Sequence, residues 1–203
     1  MVINATPMEI KQRLLDAAAR IYACAGYRGA TTRRIAQEAG VNELTLFRHF
    51  GSKAELLHTA IGSCQADADD FDLPAEPGDA VIELSEWAAR RVAEIRRHGA
   101  LIRTALGEVE EHPDLLRPSE HPMTVSGARL AAYLGRLQHS GAARSEFDPR
   151  VAAMMFLSVL FVDAILRDVM PGLFGGDAAH DLDEHVRIFL RGIGVEIQET
   201  AKG

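Results

Sequence analysis

The chain has only two cysteines in its 203 residues, Cys24 and Cys64, and neither stands in a C-x-x-C or other metal-ligand spacing. That excludes a disulfide-stapled scaffold and a zinc module, and both thiols are expected to be small buried hydrophobes in a reducing cytoplasm. Alternating apolar and polar runs are missing, which removes a sheet from the expected fold. No apolar run reaches the roughly 20 residues of a bilayer span. The longest, Val151 to Leu166, is interrupted by Ser158 and Asp163 and reads as a buried helix. The opening MVINATPMEI has no basic segment leading into an apolar one, so no secretory signal is expected. Serine, cysteine and lysine nucleophile motifs are absent. His180-Asp181 with His185 comes nearest to a metal hydrolase cluster, but further ligands lack a matching helical context, and a helix cap by Asp181 is the better reading. His98, His112 and His121 fall at helix ends or beside prolines, as surface histidines do. These gaps speak against an enzyme, a metal or cofactor site and a membrane protein.

Basic charge is also scarce: 22 Lys and Arg stand against 29 Asp and Glu, a net charge of -7. Spread evenly, that balance would argue against a nucleic-acid partner. Residues 1–60, however, hold 8 basic and 5 acidic side chains, while the remainder holds 14 and 24. The local sign matters, because phosphate attraction is screened within about 10 Å at ordinary salt.

What the chain does have is helical signal from end to end, about nine helices, so the expected fold is all-α. Thr6, Pro7 and Glu9 form a capping-box start, followed by an apolar stripe through Ile10, Leu14, Ala17 or Ala18, and Ile21, with Gly26 as the expected stop. Further helices are expected at 32–39, 42–49 and 52–66. The acidic, proline-bearing DADDFDLPAEPGD then marks the clearest boundary. Beyond it, helices are expected at 79–98, 100–111, 124–140, 149–169 and 182–200, with caps at Asp148-Pro149 and from Asp181.

The second and third helices are joined by Gly40-Val41 alone, which is helix-turn-helix punctuation. Ala36 is small where the helices would cross, and Ile35, Val41, Leu46 and Phe50 supply the apolar side. With Leu46 and Phe50 turned inward, Leu44, Thr45 and Arg48 turn outward, an apolar and cationic mixture that suits a major groove.

Gly26-Tyr27, Thr31-Thr32, Ile35-Ala36, Ala39-Gly40-Val41, Thr45-Leu46-Phe47-Arg48-His49-Phe50 and Ser52-Lys53 occur in order, ungapped from 31 to 57. In these pieces, residues 6–57 resemble the DNA-binding domain of the tetracycline-repressor (TetR) family of bacterial transcriptional regulators. The resemblance implies a helix-turn-helix DNA-binding domain over 1–52 and a helical ligand-binding and dimerising domain over 53–203. It implies phosphate contacts from Thr31 or Thr32 and from Lys53, a base or phosphate contact from Arg33, and a reading helix presenting Asn42, Glu43, Leu44, Thr45, Arg48 and His49. Phe47 stands where the family usually has tyrosine, so a phosphate hydrogen bond is lost and packing remains. Glu43 either accepts from a cytosine amine or repels phosphate. Expected partners are operator DNA, a second copy of the chain and a small-molecule effector. The competing readings are a helical ligand-binding module that no longer binds DNA and, weakly, a helical enzyme.

The penultimate helix is apolar nearly all round, through Met154, Met155, Phe156, Leu157, Leu160 and Phe161. The last offers Leu182, Val186, Phe189, Leu190, Ile193 and Ile197. Paired by two-fold symmetry, these would make a four-helix bundle. Trp87, Arg91, Arg103, Leu106, Tyr133, Leu137 and Phe156 are candidate effector contacts, each with ordinary core packing or a solvated charge as its alternative. Arg103, flanked by Leu101, Ile102 and Leu106, invites an anion, which a protein carboxylate such as Glu108 could equally supply.

Overall fold

The computed structural model describes residues 6–63, 72–117, 122–174 and 176–197, and among these the regular structure is entirely helical. The elements are α1 (Pro7–Gly29), α2 (Thr32–Glu38), α3 (Glu43–Phe50), α4 (Lys53–Ser63), α5 (Ala80–Arg97), α6 (Gly99–Gly107), a 3-10 turn (Pro113–Leu115), α7 (Pro122–His139), α8 (Pro149–Leu166) and α9 (Ala178–Gly192). Several starts form as their caps dictate. The Thr6 hydroxyl accepts from the Glu9 N–H while the Glu9 carboxylate accepts from the Thr6 N–H, and Asp148 accepts from the Arg150 N–H.

Other boundaries shift for identifiable reasons. Gly26 takes the expected positive φ, 64°, but α1 resumes beyond it to Gly29, so the glycine is a kink rather than a stop. α9 starts at Ala178 on an Asp177 cap, four residues before the expected start, and ends at Gly192, so Ile197 lies outside it. Asp181 therefore caps nothing: it accepts from Arg167 at 2.8 Å. Cys24 is exposed rather than buried, while Cys64 and His121 lie outside the described residues.

The helices form two packed units. One comprises α1 to α4, α6 and the 3-10 turn; the other comprises α5, α7, α8 and α9. Packing does not divide the chain at residue 52, because Leu56, Leu57, Ala60 and Ile61 of α4 and Leu101 and Ala105 of α6 share the first core with Leu14, Tyr22, Ile35 and Leu46. In the second unit, Trp87, Leu130, Leu134, Phe156, Leu160, Val186 and Leu190 sit together, and the Phe156 and Phe189 rings stack at 4.5 Å.

The inner face of α8 is fully used by this core. By length and composition α8 could also cross a membrane, but its Asp163 is buried in an ion network, accepting from Arg96 at 2.9 Å and from Arg167. Six residues assigned from sequence to a dimer interface, Leu157, Leu160, Val186, Phe189, Leu190 and Ile193, are buried inside the single chain and unavailable to a partner. The exposed face of α8 is instead Val151, Met154, Met155, Val159 and Val162; Phe161 and Leu182 are half-buried.

Tyr133 ties the start of α5 to this core. Its hydroxyl donates to Glu83 Oε2 at 2.6 Å, and Glu83 Oε1 accepts the Gly78 N–H at 2.8 Å. Burial, with the Glu83 carboxylate adding to it, pushes the phenol far above its ordinary pKa. Tyr133→Phe is expected to lower unfolding stability by about 1.5–3 kcal/mol, the cost of losing a hydrogen bond to a charged group. A urea midpoint equal to wild type would refute this.

Candidate nucleic-acid interface

α2 and α3 are held at their angle by local bonds. The Thr31 hydroxyl caps α2 by accepting the Arg34 N–H at 3.3 Å, and the Val41 N–H returns to the Ala36 carbonyl at 2.9 Å across the turn. Gly40 sits at φ 66°, where a β-carbon would also run into the Arg13 guanidinium. That guanidinium reaches from α1 to donate to the Ala39 carbonyl, so the end of α2 is anchored to α1 through the space the glycine leaves.

The rotation of α3 is set by Leu46 and Phe50, both buried with Ile35 and Ala36 of α2. Asn42 caps α3, its Oδ1 accepting the Thr45 N–H at 2.8 Å and the Thr45 hydroxyl at 2.9 Å. The opposite face is open: Leu44 is 69 % exposed, Phe47 is 43 % exposed, and Arg48 and His49 face solvent beside them. Arg33 and Arg34 of α2 are exposed as well. Arg34 was not singled out from sequence, although the doubled basic pair in TTRR carried the signal.

Besides Asn42 and Thr45, three expected DNA contacts, Thr32, Glu43 and Lys53, are engaged within the chain. Glu43 Oε2 accepts the Thr32 hydroxyl at 3.1 Å, so both side chains are committed to each other across α2 and α3. Lys53 Nζ donates to the Tyr27 carbonyl at 2.7 Å and lies 3.6 Å from the centroid of the Tyr27 ring. Burial lowers its pKa from the ordinary lysine value, with the Glu108 carboxylate opposing that shift. Lys53 is thus a brace between α4 and α1, and a phosphate would have to compete for its amine.

The effector candidates are not gathered into one site. Trp87, Tyr133, Leu137 and Phe156 are core residues of the second unit, and Arg91 donates to Ser126 at 2.8 Å. Arg103 and Leu106 belong to α6 in the first unit. Glu108 accepts the Tyr27 N–H with both oxygens, each at 3.0 Å. A cleft of about 790 Å³ opens in the second unit, lined by Gly78, Ile82, Leu137, Gly141, Arg187 and Ile197 among others, and of the candidates only Leu137 borders it. Among the described residues, no three His, Cys, Asp or Glu side chains are grouped to hold a metal.

Two short capped helices at a tight turn, the second rotated so that an apolar and cationic face protrudes, define a helix-turn-helix DNA-binding module. Residues 14–60 match the family described as bacterial regulatory proteins, tetR family. Residues 14–60 are thus a TetR-type DNA-binding domain, and over most of its length the chain is similar to helix-turn-helix transcriptional regulators. It is 26 % identical over 151 residues to the uncharacterized HTH-type transcriptional regulator YvkB of Bacillus subtilis, covering 74 % of this chain and 78 % of that one. It is 27 % identical over 180 residues to the HTH-type transcriptional repressor SCO4008 of Streptomyces coelicolor, covering 86 % and 89 %. The fold is shared with the fatty acid degradation regulator FadR from Bacillus halodurans, at a TM-score of 0.71 and 21 % identity over 92 % of this chain and 97 % of that one.

Proposed function

We propose that the protein is a ligand-responsive repressor, acting in the cytoplasm as a homodimer that occupies a palindromic operator. The observation that carries the DNA-binding part is the protruding α3 face, where Leu44, Phe47, Arg48 and His49 are exposed while Leu46 and Phe50 lock the helix from behind. The repressor sign is supported by the name of the Streptomyces relative. The dimer is supported by the exposed apolar face of α8, where Val151, Met154, Met155, Val159 and Val162 reach solvent from one helix. Effector binding is supported by the cleft in the second unit, whose volume falls in the range of small-molecule sites. An effector would act by its differential affinity for DNA-competent and DNA-incompetent arrangements, and operator DNA must weaken its binding by the same factor.

The test is a gel-shift titration of DNA from the protein's own upstream region at several salt concentrations. Wild type is expected to bind with a steep inverse salt dependence. Arg48→Ala is expected to weaken operator binding by about 1–3 kcal/mol, a loss of roughly 5- to 150-fold at fixed salt, and to alter sequence preference where the guanidinium meets a base. No salt-dependent shift by the wild-type protein, or an Arg48→Ala titration superimposable on wild type, would remove the assignment.

A further inference from the structure

Several polar groups in the first turn of α3 are engaged within the protein. Asn42 Oδ1 accepts both the N–H and the hydroxyl of Thr45, and Glu43 Oε2 accepts the Thr32 hydroxyl. The large apolar side chain projecting from that turn is Leu44, 69 % exposed, with exposed Phe47 and Arg48 one turn along the same helix face. A leucine carries no donor or acceptor, so it cannot read the hydrogen-bond code of a base edge. The one major-groove feature that an apolar side chain recognises is the C5-methyl group of thymine. The charges around it argue for DNA rather than a protein as the occupant, since Arg33, Arg34 and Arg48 are exposed on the same helix pair while the chain as a whole is acidic.

Resting on the DNA-binding reading above, we propose that Leu44, flanked by Phe47, determines specificity by packing against thymine methyl groups, so that each operator half-site carries a thymine opposite the first turn of α3. Sequence choice at that position is then made by apolar contact, while the exposed Arg33 and Arg34 of α2 favour the phosphates. The missing phenolic hydroxyl at Phe47 fits the same arrangement, because it leaves an apolar ring beside the leucine instead of a second polar group.

The experiment uses the full-length protein to select duplexes from a randomised pool. The selected site is then resynthesised with uracil replacing thymine at one position per half-site at a time, which removes a methyl and changes no hydrogen-bonding group. Wild type is expected to bind about 15-fold more weakly when uracil replaces a contacted thymine in both half-sites, roughly fourfold from each methyl lost. Leu44→Ala is expected to bind the thymine site more weakly and to treat thymine and uracil alike. Leu44 is mostly exposed, so the variant should fold as wild type does, and its retained low-salt binding to unselected duplex checks this. If nothing binds and no sequence is enriched, the DNA-binding reading itself falls. If a sequence is enriched but wild type tolerates uracil at every position, or Leu44→Ala keeps wild-type discrimination, DNA recognition stands and the thymine-methyl assignment is overturned.

Discussion

Replacing Met155 and Val159 together with glutamate is expected to convert the protein to monomers and to weaken operator binding by about 10²–10⁴-fold, the range by which two linked sites exceed one. The two side chains are 59 % and 40 % exposed, one turn apart on α8, within an apolar face that also includes Val151, Met154 and Val162. Substitutions at exposed positions usually change folding stability by no more than about 0.5 kcal/mol, so the monomer should remain folded. Across a two-fold interface each glutamate would be buried with its symmetry mate close by, and an unpaired buried carboxylate is costly. Ile188 of α9 is also exposed, at 62 %. Light scattering at micromolar concentration should therefore report twice the 22.1 kDa chain mass for wild type and the chain mass itself for the variant. A monomeric wild type, or a double variant that stays dimeric, would contradict the proposed interface.

The difference between the interface expected from sequence and the one the structure leaves available is a matter of phase. α8 has leucine, methionine, valine or phenylalanine on nearly every side, so periodicity could not separate Leu157, which faces the core, from Met154 and Met155, which face out. α3 was the opposite case. Polar residues lie between its apolar ones, so spacing alone places Leu46 and Phe50 inside and Leu44 and Arg48 outside, as in the structure, while Thr45, also expected outside, is half-buried with its hydroxyl on Asn42. Caps were legible where one candidate stood before a helix, as with Thr6, Asn42 and Asp148. They were not legible at α9, where Asp177 and Asp181 both suit the role and a long-range ion pair with Arg167 takes the second. Lys53 illustrates the same limit. Its engagement with Tyr27 joins residues 26 positions apart, and such pairings leave no periodic trace in a single sequence.

Gly26→Ala is expected to lower unfolding stability by about 2–6 kcal/mol, because two penalties meet at one α-carbon. Gly26 lies at φ 64° and ψ -173°, a region essentially reserved for glycine, where a side chain costs about 1–3 kcal/mol. An added β-carbon would also stand 2.5 Å from Glu108 Oε1, and relieving such overpacking typically costs about 1–3 kcal/mol. The carboxylate is there because of the kink. In an unbroken helix the Tyr27 N–H would donate to the Ala23 carbonyl; here the N–H goes to Glu108, and the Ala23 carbonyl accepts the Thr104 hydroxyl at 3.2 Å. Thr104 of α6 and Glu108, the residue that caps its end, thus satisfy both groups at the break in α1, and Lys53 and the His112 ring close over Tyr27 from α4 and the segment after α6. Glu108→Ala should therefore cost about 1.5–3 kcal/mol, since it leaves that N–H without its charged acceptor. The double variant provides the decisive reading. With the carboxylate gone the clash disappears and only the backbone strain of alanine remains, so the combined loss should fall short of the sum of the single losses by about 1 kcal/mol or more. Urea denaturation of the four proteins measures this directly. Additive losses would show that the Glu108 carboxylate does not occupy the space beside Gly26 in solution, and a wild-type midpoint for Gly26→Ala would show that the kink itself is absent.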